Sequence, residues 1–118
     1  QKLRSGGIGI ALASSSPREL IELLLDKLGI KDSFDVVVSG EEVKHSKPAP
    51  DIFLEAAGRL GIEPASCLVI EDAKHGVKAA KLAGMYCVGF RNPNSGNQDL
   101  SLADAVVRSM REIYPLIF

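Results

Sequence analysis

Short apolar runs alternate with amphipathic stretches along the chain. The runs cover residues 8–13, 36–38 (in a predicted strand that starts at Asp35), 67–70 and 86–90, with another short one at 105–107. A short apolar run without polar alternation predicts a strand covered on both faces, as in a parallel sheet. Between the runs, hydrophobic residues recur every three or four positions, which predicts helices. Because strands and helices alternate and the strands lie too far apart for hairpins, the pattern favours an α/β fold built from right-handed βαβ units.

The first helix has boundary signals at both ends. Ser16 and Glu19 have the spacing of a capping box, and Pro17 stands at the first helical position, where its missing N–H costs nothing. Gly29 ends the helix. The sequence therefore predicts a helix that starts directly after the serines at the end of the first strand.

Proline and glycine also bound the second helix, which starts at Pro50 and ends at Gly61. Gly58 lies inside it, where glycine costs about 1 kcal/mol relative to alanine. This glycine therefore predicts close packing against a neighbour. The remaining predicted elements are a helix over about 76–83, a turn-rich loop over 91–98 and a terminal helix over 110–118.

Composition and charge indicate an ordinary soluble domain. The chain has 118 residues, enough for one core, and its 46% hydrophobic and 25% charged residues are typical of globular proteins. A net charge of −1 gives no electrostatic basis for binding nucleic acid or an anionic membrane. Cys67 and Cys87 each lie in or beside an apolar run, which indicates buried thiols in a reducing compartment. We therefore expect a cytoplasmic protein with no nucleic-acid or membrane partner.

Polar residues follow the predicted strands at the end where ligands bind. Ser14 ends the first strand, Lys47 lies in the loop after the second, and Glu71 and Asp72 end the third. The carboxyl ends of parallel strands share one edge, so these side chains can converge there. A serine hydroxyl and free N–H groups at a helix start bind phosphate, and a lysine neutralises its charge. Paired acids suit a hard cation such as Mg²⁺.

Each of these residues also has a purely structural interpretation. Ser14 and its neighbours are good helix-capping residues. Lys47 is of a type that usually lies on the surface. Glu71 and Asp72 precede a helix, whose start favours acids. The order in which these residues occur along the chain favours a site over these alternatives.

Three runs of sequence resemble motifs of a known family. They are Ala11–Ser16 (ALASSS), Lys47–Phe53 (KPAPDIF) and Val69–Met85 (VIEDAKHGVKAAKLAGM). They are similar to the second, third and fourth motifs of the haloacid dehalogenase-like (HAD) hydrolase superfamily, and especially to its β-phosphoglucomutase-like phosphatases and mutases. The similarity extends from Ile8 to about Ala105. It implies a Rossmann-like core, with a parallel sheet flanked by helices.

The resemblance also implies a role for each candidate residue. The Ser14 hydroxyl would hydrogen-bond the transferring phosphoryl group, helped by the backbone N–H of Ser15. Lys47 would bridge the nucleophile and the phosphate, so that Ser14 and Lys47 are the catalytic residues. Asp72, with Glu71 beside it, would hold Mg²⁺. The implied phosphate-binding residues are Ser14, Ser15, Ser16 and Lys47, and the implied metal ligands are Glu71 and Asp72.

The family's first motif, D-x-D-x-[TV], has no counterpart in this sequence. In the family this motif supplies the attacking aspartate from the first strand, which would lie between the strands that end at Ser14 and Glu71. The family's cap domain is absent as well, and residues 1–4 resemble the end of a helix. We therefore expect residues 1–118 to be the C-terminal part of a HAD-like core whose sheet is incomplete, with the central first strand missing.

A sheet that is interrupted at its centre leaves backbone groups without partners, which is costly. We therefore expect the chain alone to be inactive. We also expect it to fold poorly unless a missing N-terminal segment or a partner chain completes the sheet.

The resemblance implies a magnesium-dependent phosphatase that acts on a small phosphorylated metabolite through an aspartyl-phosphate. Pro17 occupies part of the segment with which β-phosphoglucomutases grip a distal phosphate, and it offers no N–H. This favours a phosphatase over a sugar-phosphate mutase, which remains an alternative. A non-catalytic module that binds phosphate or a partner is the alternative outside enzymes.

Overall fold

Strands and helices alternate in the computed structural model, which describes residues 8–92 and 98–112. Within these ranges the strands are β1 (Ala11–Ser14), β2 (Val36–Ser39), β3 (Leu68–Glu71), β4 (Tyr86–Phe90) and β5 (Ala105–Val107). The helices are α1 (Arg18–Leu28), α2 (Asp51–Leu60) and α3 (Lys74–Leu82). Single 3₁₀ turns cover 31–33, 40–42, 64–66 and 110–112. The alternation confirms the predicted α/β fold.

The strands form two parallel sheets. In the first, β1 pairs with β2, with Ala11 opposite Val36. In the second, β4 lies between β3 and β5, with Leu68 opposite Tyr86. Every ladder is parallel, as the apolar runs predict. Within the described residues, β1 and β3 each pair with one strand only, so the sheet is interrupted between them.

An apolar groove of about 660 Å³ lies between β1 and β3. Leu12 and Ile10 line it from one side, Val69 from the other, and Phe53 and Ala57 of α2 also contribute to its wall. The groove therefore lies where the sheet is interrupted, and it runs the length of both strands.

The core lies under the strands and is formed by the apolar faces of the helices. Ile52 and Phe53 of α2 and Val77 of α3 are buried in it together with Val38 and Cys87. In α3 the small residues Ala79 and Ala80 are fully buried, which lets the helix lie close to β4. This packing holds the carboxyl ends of the strands in place.

The predicted capping box at Ser16 and Glu19 is wrong. The helix begins at Arg18 after Pro17, and no side chain caps it. The N–H of Ser16 instead donates to the Ser14 hydroxyl, so this stretch is a turn that belongs to the end of β1. A capping box does occur at Ser39 and Glu42, where the chain leaves β2.

The predicted close packing at Gly58 is also wrong. A Cβ atom at this position would meet nothing within 4 Å, and the residue is exposed. Other boundaries shift slightly: β1 starts at Ala11 instead of residue 8, and α3 covers Lys74–Leu82. The predicted terminal helix begins as a 3₁₀ turn at 110–112, and its residues 113–118 lie outside the described residues, as do 93–97 of the predicted loop.

No helix in the described part of the chain is both long enough and apolar enough to span a membrane.

Candidate active site

The carboxyl ends of β1 and β3 open into a pocket of about 460 Å³. The polar residues that line it are Ser14, Ser15, Lys47, Glu71 and Asp72. Apolar walls are added by Leu12, Ala13, Ile70 and Phe90. The structure thus brings these predicted site residues together from separate parts of the sequence. Ser16, the remaining candidate, is not among the lining residues.

Hydrogen bonds and a close backbone contact hold the turn after β1 in place. The Ser14 hydroxyl accepts the Ser16 N–H at 3.2 Å, and the fully buried Ser39 hydroxyl donates to the Ser16 carbonyl at 2.7 Å. A Cβ atom at Gly40 would lie 3.1 Å from the Ser15 backbone, so the two backbones are in close contact. Ser16 therefore acts through its peptide, which fixes the turn that presents Ser14 and Ser15 to the pocket.

Lys47 and Glu71, which both line the pocket, form an ion pair. The Lys47 Nζ lies 3.0 Å from Glu71 Oε2, and the two side chains are only 15% and 12% exposed. The ammonium group also lies 5.1 Å from the ring centroid of Phe53, within the range of a cation–π contact. Glu71 Oε1 accepts the N–H groups of Asp72 and Ala73 at 3.1 and 3.2 Å. Each of these two charged groups therefore has partners inside the protein, which a charge with so little access to water needs.

Gly76 makes room for this ion pair. A Cβ atom at Gly76 would lie 2.0 Å from Glu71 Cδ and 2.1 Å from Glu71 Oε2. The Glu71 carboxylate thus occupies the space that a side chain at position 76 would fill. In the sequence Gly76 stands inside the run Val69–Met85, five residues after Glu71, and that spacing was the only signal of a contact between them.

The acids at the end of β3 differ in their surroundings. Asp72 is exposed to solvent. Both carboxylate oxygens of Glu71 are instead hydrogen-bonded, one to Lys47 and the other to backbone N–H groups. In the described ranges, no group of three or more His, Cys, Asp and Glu residues could hold a metal ion. The exposed Asp72 carboxylate, with Glu71 beside it, is nevertheless a suitable donor for Mg²⁺, which is commonly held by one or two carboxylates, waters and substrate phosphate. The residues present therefore fit this ion.

A charged cluster supports the site from outside the pocket. Glu42 Oε2 accepts from Arg59 at 2.7 Å, its Oε1 accepts the Ser39 N–H at 2.9 Å, and Arg18 donates to it as well. These hydrogen bonds, that of Arg59 first, lower the pKa of Glu42 to about 2. Arg18 and Arg59 also donate to the Val37 carbonyl. The cluster ties α1 and α2 to β2, next to the turn that carries Ser14.

Both cysteines are free thiols. Cys87 is buried in β4, and burial raises its pKa to about 11. Burial also raises the pKa of Cys67, which is partly exposed and donates to the Glu63 carbonyl at 3.4 Å. Neither thiol lines the pocket.

Gln98 also contacts the site, although the sequence did not indicate it. Its side-chain amide contacts the backbone at the ends of β3 and β4, directly beside Asp72. The sequence placed Gln98 at the end of a turn-rich loop, and no local pattern there indicates a contact with β3.

Comparison with known proteins places this pocket in a family. A model of the haloacid dehalogenase-like hydrolases matches residues 1–84. The chain is 46% identical over 82 residues to the fructose-1-phosphate phosphatase YqaB of Escherichia coli (strain K12), covering 70% of this chain and 44% of that protein. It is 40% identical over 112 residues to the β-phosphoglucomutase of Bacillus subtilis (strain 168), covering 95% of this chain and 47% of that protein.

Solved structures agree with this relationship. The crystal structure of a HAD phosphatase from Thermococcus onnurineus superposes with a TM-score of 0.86 at 32% identity, covering 98% of this chain and 53% of that one. The chain thus spans about half the length of the relatives it matches. It belongs to the haloacid dehalogenase-like hydrolase family, in the group of β-phosphoglucomutase-like phosphatases and mutases.

Proposed function

We propose that this chain carries the phosphate- and metal-binding part of a magnesium-dependent phosphatase for a small phosphorylated metabolite. The observation that carries the proposal is the pocket at the carboxyl ends of β1 and β3. There a hydroxyl (Ser14), an ammonium group (Lys47) and two carboxylates (Glu71 and Asp72) line one cavity. A phosphate monoester needs donors and positive charge around its oxygens, and a carboxylate-bound cation supplies more of that charge.

In this proposal each residue has a defined task. The Ser14 hydroxyl and the Ser15 N–H donate to oxygens of the phosphoryl group. Lys47 lines the same pocket and offsets the charge that accumulates on those oxygens. Asp72, with Glu71 beside it, holds Mg²⁺, which when bound supplies further positive charge to the phosphate. Ser16 keeps the turn in place through its backbone.

The attacking aspartate is proposed to come from a further strand. The groove between β1 and β3 is apolar, is open along both strands and leads to the pocket at its carboxyl end. A strand seated there, from a preceding segment or from a partner chain, would pair with both sheets and deliver its last residues beside Lys47. A carboxylate oxygen of that aspartate would attack phosphorus while the ester P–O bond breaks and the alcohol leaves, its oxygen protonated from solvent. Water would then release inorganic phosphate and restore the aspartate.

A phosphatase is favoured over a mutase by Pro17. This residue follows the serine turn directly, and it has no N–H to offer a second phosphate group. The similarity to YqaB, named as a fructose-1-phosphate phosphatase, supports a monophosphate substrate. A sugar-phosphate mutase is the second candidate, and the similarity to the Bacillus subtilis β-phosphoglucomutase favours it. The free thiols Cys67 and Cys87 support a reducing, cytoplasmic location.

An aryl phosphate assay tests the proposal. The 118-residue chain and a longer form with a D-x-D strand before Gln1 are compared with Mg²⁺ and with a chelator. We expect turnover only in the longer form, abolished by the chelator and lowered at least 100-fold by Asp72→Asn. Full activity of the 118-residue chain would refute the need for a further strand. A longer form that binds phosphate but does not hydrolyse the ester would instead support a binding module.

A further inference from the structure

The Gln98 side chain connects the ends of two adjacent strands. Its Nε2 donates to the Asp72 carbonyl at 2.5 Å and to the Phe90 carbonyl at 3.0 Å, and its Oε1 accepts the Asn92 N–H at 2.9 Å. Phe90 is the last residue of β4, and Asp72 directly follows β3. One side-chain amide therefore bonds backbone carbonyls at the carboxyl ends of both β3 and β4. Its NH₂ group has two hydrogens, one for each of these bonds.

Both backbone polar groups of Asp72 are hydrogen-bonded. Its N–H donates to Glu71 Oε1 at 3.1 Å, and its carbonyl accepts from Gln98. Within residues 8–92 and 98–112, no hydrogen bond or ion pair fixes the Asp72 carboxylate itself, which is exposed. The backbone therefore fixes the Cα–Cβ bond from which this carboxylate extends, and Gln98 supplies one of the two hydrogen bonds that hold that backbone.

We propose that Gln98 is a positioning residue that orients Asp72 toward the cation. This inference rests on the proposed function, since it assigns Asp72 the task of a metal ligand. Outer groups that orient ligands commonly contribute 10- to 100-fold to metal affinity. Gln98 acts on the ligand's backbone and not on its carboxylate, so we place its contribution at about tenfold, the lower end of that range.

If Gln98 contributed to stability alone, its substitution would have different effects. Gln98 also joins Phe90 and Asn92, so its loss should loosen the end of β4 in either case. A purely structural role would lower protection from hydrogen exchange along β4 and leave the affinity for the cation unchanged. A positioning role changes the affinity and the exchange at Asp72 and Ala73, while the amides of Cys87 and Val88 in the centre of β4 stay protected.

The test uses the longer form with a D-x-D strand before Gln1, in which the sheet is complete, and compares Gln98→Met, which keeps the length of the side chain, with Gln98→Ala. Asp99→Asn is the control, because Asp99 is the next residue but hydrogen-bonds Ser101 and pairs with Lys74 at 4.0 Å. Mn²⁺ serves as the probe in calorimetric titrations, and amide exchange is followed by mass spectrometry or NMR on the same samples.

We expect Mn²⁺ binding about tenfold weaker in both Gln98 variants and unchanged in the control. We also expect faster exchange at residues 72–73 in the Gln98 variants only. Equal affinity in Gln98→Met, Gln98→Ala and the wild type would overturn the inference. If the wild type binds no Mn²⁺, the proposed metal site fails instead. In that case the restraint by Gln98 is judged from exchange alone, and unchanged rates at residues 72–73 overturn it too.

Discussion

Replacing Gly76 by alanine tests how the buried ion pair is accommodated. The new Cβ atom would lie 2.0 Å from the Glu71 Cδ, whereas an ordinary contact begins at 3.4 Å. The atom in the way belongs to a side chain and not to the backbone, so the carboxylate can move. It must retreat by about 1.4 Å, the difference between 3.4 and 2.0 Å. Such a movement lengthens its 3.0 Å contact with Lys47 and can break it.

The expected cost follows from two opposing effects. At an effective dielectric constant of about 20, stretching a unit charge pair from 3.0 Å by about 1.4 Å weakens it by about 1.5–2 kcal/mol. Replacing glycine by alanine in a helix raises the free energy of unfolding by up to about 1 kcal/mol. We therefore expect Gly76→Ala to lower the free energy of unfolding by about 1 kcal/mol.

Gly58→Ala is the matched control. Gly58 is also helical, but a Cβ atom there meets nothing within 4 Å. This substitution should raise the free energy of unfolding by up to about 1 kcal/mol, which leaves the two alanine variants about 2 kcal/mol apart. Urea unfolding of the longer form with a D-x-D strand before Gln1, followed by circular dichroism, measures both, provided that the slope of free energy against urea stays constant.

A double-mutant cycle with Lys47→Met shows whether the ion pair is the cause. Without the ammonium group there is no contact to stretch, so the effect of Gly76→Ala should approach that of Gly58→Ala. The reasoning is refuted if Gly76→Ala stabilises the wild type as Gly58→Ala does. It is also refuted if its cost is the same with Lys47 and with methionine at that position.

Two further predictions concern titratable groups. The pKa of Glu42 is lowered from its ordinary 4.5 to about 2, so its contribution to stability is complete above pH 4.5 and is lost as the pH falls toward 2. Because this carboxyl is partly exposed, we expect Glu42→Gln to lower the free energy of unfolding by only about 1 kcal/mol at pH 7, and by less at pH 3. Urea titrations measure this loss, with the exposed Glu63→Gln as the control. An equal loss of stability at both pH values would contradict the role of the Glu42 charge. Since burial raises the pKa of Cys87 to about 11, a thiol reagent at pH 8 should label Cys67 first. Labelling of both at one rate in the folded chain would contradict the burial of Cys87.

Local patterns were sufficient for most of the elements. The run at 86–90 became β4 over those residues, and the one at 105–107 became β5, because a continuous apolar run can only be buried by covering both faces. Gly29 ends α1 with a φ of 66°, a conformation that glycine adopts without strain. The capping box failed because the helix begins at Arg18 with Pro17 at the N-cap, while Ser16 belongs to the preceding turn, where Ser14 accepts its N–H and Ser39 donates to its carbonyl.

The sequence by itself determined which residue types stand at the carboxyl ends of the strands, since Ser14, Lys47, Glu71 and Asp72 each follow an apolar run. Only the tertiary structure decided how they meet. Glu71 pairs with Lys47, which is distant in sequence, and the pair fits because Gly76 has no side chain. Such contacts depend on the packing of α3 against β3, and a one-dimensional pattern records neither the distance nor the free space between two residues.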